Sequence, residues 1–299
     1  MEGQKHVRRR LTLVSILALL IAGVGQHPAA AKKIDQLGTI WYTTLPEGLQ
    51  AAAAEGKPVF LDFWHASSKA YKRQFDETYK DPRVKAMFSQ FILVTLNIVM
   101  ENATAQAFHV NQIPAVVFLD PTGKELGRHR VEQFVSADLL VERMESVLGD
   151  LKAFNELKEK IQREANRPDL VLKMGQVLEG WLWEPEAIAC YKNVAEATSA
   201  DRKLQDQAKE GWSRSLLAFG NRSGLRGDHA TAIRCLRDFL TLFPKHEMAT
   251  EAEFMLAMHL IQTDQTEEAR KILTELKQKT KGDEKKRAEA VLKALPQTN

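Results

Sequence analysis

The chain reads as two domains of different class: an α/β domain followed by an all-α domain of repeated helices. Three observations predict this. Short apolar runs bounded by turn residues occur only in the first half. From about residue 150 onward the apolar pattern has a helical period. Three alanine-centred segments in that second half occupy matching places. A length of 299 residues suits two domains of about 100–200 residues each.

In the first half, Leu49 to Glu55 is an alanine-rich helix stopped by Gly56, the usual left-handed stop residue. Pro58 to Trp64 is too short for a helix and is bounded by Gly-Lys-Pro, so it reads as a buried strand. Ser68 to Ser89 reads as one helical stretch. Phe91 to Ile98, rich in β-branched residues, is a second buried strand, and Ala115 to Asp120 a third. Asp120-Pro-Thr-Gly123 is a turn signal joining that strand to a hairpin partner over Glu125–Val131. A last helix starts near Ser136, which caps it. The order is strand, helix, strand, helix, strand, strand, helix over residues 32–150.

Residues 151–168 form a charged helical connector ended by Pro168, and residues 169–299 are helix after helix. Pro185 to Cys190, His229 to Cys235 and Thr266 to Ile272 correspond to one another, and their alanines are Ala187, Ala232 and Ala269. Each segment follows another amphipathic helix. Phe254, Met258 and Ile261 mark the expected apolar stripe in the last case. Helix pairs stacked at periods of about 34–45 residues make a solenoid, and this half resembles tetratricopeptide-repeat (TPR) domains. An ordinary helical bundle is the competing arrangement, since the Trp-Leu-Gly-Tyr part of the repeat consensus is missing.

Residues 1–31 have a charged start (Lys5 to Arg10), an apolar run (Leu11 to Val24) and a small-residue end (Ala29 to Ala31). This is the three-part pattern of a secretory signal peptide with a cut before Lys32. The run is shorter than the roughly 18 residues expected of a membrane span. After cleavage the chain is expected to be periplasmic or secreted with no stable membrane span, or anchored in the inner membrane if the segment is retained. The net charge of +3 equals that of the leader alone, so the remainder is neutral. A nucleic-acid partner is therefore not expected. The histidines are scattered, no His-Glu-x-x-His occurs, and Cys190 and Cys235 have no partners at ligand spacing. No metal and no cofactor is predicted, and the two cysteines read as small packing residues rather than a bridge.

The segment Val59-Phe-Leu-Asp-Phe-Trp-His-Ala-Ser-Ser-Lys-Ala-Tyr-Lys72 resembles, without a gap, the active-site segment of the thioredoxin-like family. That family follows the strand with Trp-Cys-x-x-Cys-Lys at the start of a helix. Thr78 to Val84 is similar to an extension of its periplasmic members, including domains of disulfide-reductase membrane proteins. Ile113-Pro114 matches the family's cis-proline and Asp120–Lys124 its next turn. The resemblance implies a thioredoxin-like α/β domain ahead of the TPR-like repeats. It places Asp62 as the buried acid and Lys72 as the lysine after the second cysteine.

The departures bear on function. Ser67 replaces the tryptophan, Ser68 the attacking cysteine and Tyr71 the resolving cysteine. Disulfide exchange needs a thiolate, which neither a hydroxyl nor a phenol supplies, so no catalytic residue is expected here. A His65–Ser68 nucleophilic pair would need an orienting third group and an oxyanion site; Ser68 as a helix cap is the simpler reading. Asp62, left without cysteines, is expected to be a structural holdover with a raised pKa. The resemblance also implies a groove for an extended peptide, formed by Trp64, Tyr71, Ile113 and Pro114. The expected function is a non-catalytic binding or scaffolding module for envelope proteins or extended peptides. The alternative is a thiol–disulfide oxidoreductase or redox accessory using Cys190 and Cys235 or a partner's cysteines.

Overall fold

The computed structural model describes residues 32–34, 38–129, 134–164 and 166–296, and the signal-peptide prediction for residues 1–31 lies outside them. The chain separates into two compact units that part within one helix, between Val141 and Glu142; residues 125–127 associate with the second unit.

The first unit is built on a six-stranded sheet of order β1-β2-β4-β3-β5-β6. The strands are β1 (Lys32–Ile34), β2 (Ile40–Tyr42), β3 (Val59–Trp64), β4 (Ile92–Asn97), β5 (Ala115–Leu119) and β6 (Glu125–His129). β3 lies parallel to β4, with Trp64 opposite Asn97, and antiparallel to β5, with Phe63 opposite Ala115. The three predicted central strands are present. Two more, β1 and β2, were not expected; at three residues each they are too short to show any alternation.

β3 is central and buried along its length except at Trp64, so both faces are covered. Val59, Leu61 and Phe63 join one core with Ala52 of α1 (Leu45–Glu55), Val94 and Leu96 of β4, Ala105 of α4 (Asn102–Ala107) and Val117 of β5. Phe60 points the other way, into an aromatic cluster in which Trp41, Tyr79, Phe88, Phe91 and Phe118 lie with ring centroids 5.4–6.3 Å from one another or from Phe60. Strand periodicity puts Asp62 on this same face.

The expected helix over 68–89 is three pieces. α2 (Lys69–Arg73) runs into a π-helical turn, Gln74–Tyr79, and α3 (Pro82–Phe88) starts anew. The break is chemical: Asp81 caps α3, accepting a 2.8 Å bond from the Arg83 N–H, and Pro82 follows at the first helical position, where its missing N–H costs nothing. The π turn buries Gln74, Thr78 and Tyr79. Thr78 donates its hydroxyl to the Val135 carbonyl. After β5, Asp120 Oδ1 accepts from the N–H groups of Thr122 and Lys124, both at 2.9 Å, and Gly123 takes the left-handed conformation (φ 91°) the turn needs.

Helix α5 (Ala137–Arg163) is a single 27-residue helix, so the segment expected as a separate connector continues it. Ser136 Oγ accepts from the Leu139 N–H at 3.4 Å at its start. The second unit continues with α6 (Pro168–Gly180), α7 (Glu184–Glu196), α8 (Arg202–Leu225), α9 (His229–Leu242), α10 (Ala249–Gln262), α11 (Thr266–Lys279) and α12 (Gly282–Ala294). Each helix from α6 onward packs on its successor, the pattern of a helical repeat. Ala187, Ala232 and Ala269 are each fully buried, as their matching places require. The stripe expected on α10 is displaced: Ala252, Leu256, Ala257 and Leu260 form its buried face, while Phe254, Met258 and Ile261 are half-buried. Small residues let the neighbouring helices close on that side, so side-chain size misled the reading. Among the described residues no helix is long and apolar enough to cross a membrane.

Tyr191 of α7 shows how tight this packing is. A Cβ added to Gly175 of α6 would lie 2.9 Å from its ring, and one added to Gly211 of α8 would lie 2.5 Å away. The ring fills the space both glycines leave, and its hydroxyl donates to Glu179 Oε2 at 2.6 Å. Gly211→Ala should therefore destabilise the helical unit by about 1–3 kcal/mol, although alanine is the better helix former by about 1 kcal/mol. Urea unfolding checks this, and the loss should shrink when Tyr191→Ala removes the ring.

Candidate functional site

The end of β3 carries the segment singled out by the sequence. Asp62 is fully buried beneath α2 and the π turn. Tyr79 donates to Asp62 Oδ1 at 2.8 Å, and Gln74 Nε2 donates to the Tyr79 hydroxyl at 2.8 Å. The wider i, i+5 spacing of the π turn brings Gln74 and Tyr79 together on one buried side. Burial pushes the Asp62 carboxyl up to about 7, offset in part by hydrogen bonds from Tyr79, Tyr71 and Thr95. Burial, and then the Asp62 charge, push the Tyr79 phenol well above its ordinary value.

Tyr71 thus offers its phenol to the Asp62 carboxyl. Its ring also stacks on Trp64, with centroids 5.9 Å apart and planes at 29°. Ser68 ends the loop as the cap of α2: its Oγ accepts from the Tyr71 N–H at 3.1 Å. An oxygen engaged this way secures the helix start. The His65 carbonyl accepts from the Ser68 N–H at 3.0 Å, while its imidazole is engaged with Ser67. Its Nδ1 lies 2.7 Å from the hydroxyl of Ser67 and accepts from the Ser67 N–H at 3.3 Å. With Nδ1 accepting, the Ser67 hydroxyl donates to it. Lys72 is exposed on α2.

Across the sheet end, Ile113 is joined to buried Pro114 by a cis peptide bond, and β5 starts at the next residue. The sheet therefore gathers Trp64 and the cis-proline turn at one end, since Phe63 pairs with Ala115. The same end holds two residues the sequence reading passed over. Ile98 donates its N–H to the Trp64 carbonyl at 3.0 Å, and just beyond it Val99 and Met100 are 65% and 83% exposed. Their N–H groups are tied to Asn97 Oδ1 at 3.0 and 3.3 Å, which turns both apolar side chains to solvent. A run of apolar residues past a strand end was the available signal.

No cysteine lies in this region. Cys190 and Cys235 belong to the helical unit and are free; burial pushes each thiol up to about 11. Thiols this weakly acidic are poor nucleophiles near neutral pH.

A parallel-and-antiparallel sheet, a cis-proline facing the end of β3 and a buried acid under the following helix define a thioredoxin-like domain, and residues 40–121 match the family described as thioredoxin-like. The relatives include the thiol:disulfide interchange protein DsbD of Salmonella typhi, 35% identical over 143 residues, which cover 44% of this chain and 25% of that protein. DsbD of Tatumella citrea is 29% identical over 153 residues, 46% of this chain and 26% of that protein. The chain spans about a quarter of the length of these curated relatives. Among solved structures, the oxidised C-terminal domain of Neisseria meningitidis DsbD is 21% identical, with a TM-score of 0.31, over 36% of this chain and 97% of that one.

Asp62 makes stability depend on pH. Its folded pKa of about 7 exceeds the ordinary 3.8, so the folded state keeps a proton the unfolded state has lost. That stabilisation is complete below about pH 4 and is lost as pH rises through about 7. Asp62→Asn should remove this slope and stabilise the domain at pH 8 by about 2–4 kcal/mol, with little change at pH 4. Urea titrations at the two pH values check it. Ser68→Ala should cost about 0.5–2 kcal/mol through the lost cap, read in the same assay.

Proposed function

We propose that the chain is an exported, non-catalytic binding module. Its thioredoxin-like domain takes an extended segment of a partner protein at the end of β3, and its helical repeat offers a second docking surface. The observation that carries this reading is the state of the two exchange positions: Ser68 is spent as a cap, and Tyr71 is turned to Asp62 and stacked on Trp64. The features that hold a peptide do not need sulfur. The cis-proline turn keeps the backbone of Ile113 at the sheet end, and Trp64, Val99 and Met100 supply apolar surface beside it.

The kinship with thiol:disulfide interchange proteins favours a second reading, a redox accessory that holds a partner while other cysteines exchange. It shares the groove and differs in the chemistry delivered there.

The test uses the full chain. Peptides selected from a random display library are measured by calorimetry against wild type, Trp64→Ala and Met100→Lys, with circular dichroism confirming the fold. Binding should weaken at least about tenfold in both variants, as for loss of a central aromatic or apolar anchor. Insulin reduction should stay at the dithiothreitol background. Reduction above background would favour the redox reading, and unchanged affinity in both variants would remove the groove from the account.

A further inference from the structure

Charge is unevenly distributed around the end of β3. Beyond residue 31 the chain has as many acidic as basic residues. Two stretches build this end: residues 63–75, from the end of β3 through α2, and residues 102–119, from α4 through the cis-proline turn into β5. Neither stretch contains an aspartate or a glutamate, while the first contributes Lys69, Lys72 and Arg73. Spaced i, i+3 and i+4, these three lie on one face of α2, and all are exposed. In addition, Arg128 of β6 donates from Nη1 to the Phe108 carbonyl at 2.7 Å, which sets a guanidinium behind the loop leading to the cis-proline.

Not all of these cations are committed. Arg73 Nε donates to both carboxylate oxygens of Glu77, at 3.0 and 3.1 Å, and Lys80 pairs with Asp76 at 2.7 Å. Lys69 and Lys72 form no ion pair among the described residues, and Lys72 adds only the weakest of the attractions acting on Asp76. Glu101, which follows Met100, is half-buried, and its Oε2 accepts from the Thr104 hydroxyl at 3.4 Å. Lys69 directly follows the Ser68 cap, and Lys72 directly follows Tyr71, whose ring lies on Trp64. Two ammonium groups thus stand without a close counter-charge at the margin of the apolar surface made by Trp64, Val99 and Met100. Like charges on one helix face repel, so an anion brought to that margin is favoured twice.

We propose that the segment taken up at the end of β3 is acidic as well as apolar: an extended peptide that lays apolar side chains on Trp64, Val99 and Met100 and brings carboxylates to Lys69 and Lys72. This rests on the docking role given above and adds the partner's chemistry. An extended chain alternates its side chains between two faces, so residues two apart share a face at a spacing of about 7 Å. Apolar residues alternating with aspartate or glutamate give one face to the apolar surface and leave a row of carboxylates at the edge, within reach of long lysine stems. Charges at such a rim act on selectivity and on the rate of encounter more than on total affinity. The same two ammonium groups repel a basic segment, which makes the surface selective in both directions.

The test selects a random peptide display library on the full chain and keeps the binders that Trp64→Ala weakens, which are the groove's own. Those peptides should be enriched about threefold in aspartate and glutamate over the unselected library, and depleted in lysine and arginine. By calorimetry, replacing the acidic residues of the best peptide with their amides should weaken binding about three- to tenfold at low salt, as two rim ion pairs allow, and far less at about 500 mM NaCl. Lys69→Glu/Lys72→Glu should reverse the charge of the selected peptides and Lys69→Gln/Lys72→Gln should erase the preference, while Lys285→Glu on α12 should leave it intact. Circular dichroism confirms the fold of each variant, and the wild-type selection stands on its own if one fails to fold. Groove binders without acidic enrichment, or an acidic preference that both lysine variants retain, overturn the acidic partner and leave the groove standing. A library that yields no binder sensitive to Trp64→Ala removes the groove, and this inference with it.

Discussion

The first unit depends on one constraint: β3 has no water on either side until its last residue. A strand in that position must be apolar in both directions, and it is, apart from Asp62. Placing a carboxyl there obliges its surroundings to provide polar partners, because an unaccompanied buried acid is costly. Tyr79 comes from a π-helical turn, Gln74 supports Tyr79 from the same turn, and Tyr71 comes from α2. The local departure from α-helical geometry and the choice of side chains both follow from the acid below.

The site illustrates how a loop at a strand end is held by hydrogen bonds and ring stacking alone. Two positions of that loop carry it, Ser68 and Tyr71. A hydroxyl at the first position satisfies an orphan N–H of the helix start, and a phenol at the second reaches the buried carboxyl. Both side chains are polar and both are engaged. The loop is held by hydrogen bonds, and its remaining exposed character is aromatic and apolar, from Trp64 to Val99 and Met100. Exposed apolar surface of that composition is what the recognition role proposed above draws on.

Much of this was legible from the chain. Strands β3, β4 and β5 were visible as brief apolar runs, and the buried alanines Ala187, Ala232 and Ala269 as a recurring small residue. Asp62, Ser68 and Pro114 could be placed because local sequence and family likeness agree on them. What escaped had physical reasons. β1 and β2 are three residues long and owe their existence to sheet pairing rather than to any pattern of their own. The Asp81-Pro82 cap was in plain view but lay inside an otherwise periodic stretch. The Tyr79–Asp62 contact joins residues 17 apart, and only folding decides which side chains meet. Val99 and Met100 lie just past the expected strand end at Ile98, and their exposure depends on the turn that Asn97 makes there.

The cap formed by Ser68 has a further consequence. In a dithiol loop, oxidation and reduction alternate a covalent link with two free side chains, so the surface around it changes with the reduction potential outside. Here the helix start is fastened by an oxygen–nitrogen bond that no thiol, glutathione or oxidant can exchange. The end of β3 consequently keeps one surface at every potential, and the docking proposed for it would follow concentration and affinity alone.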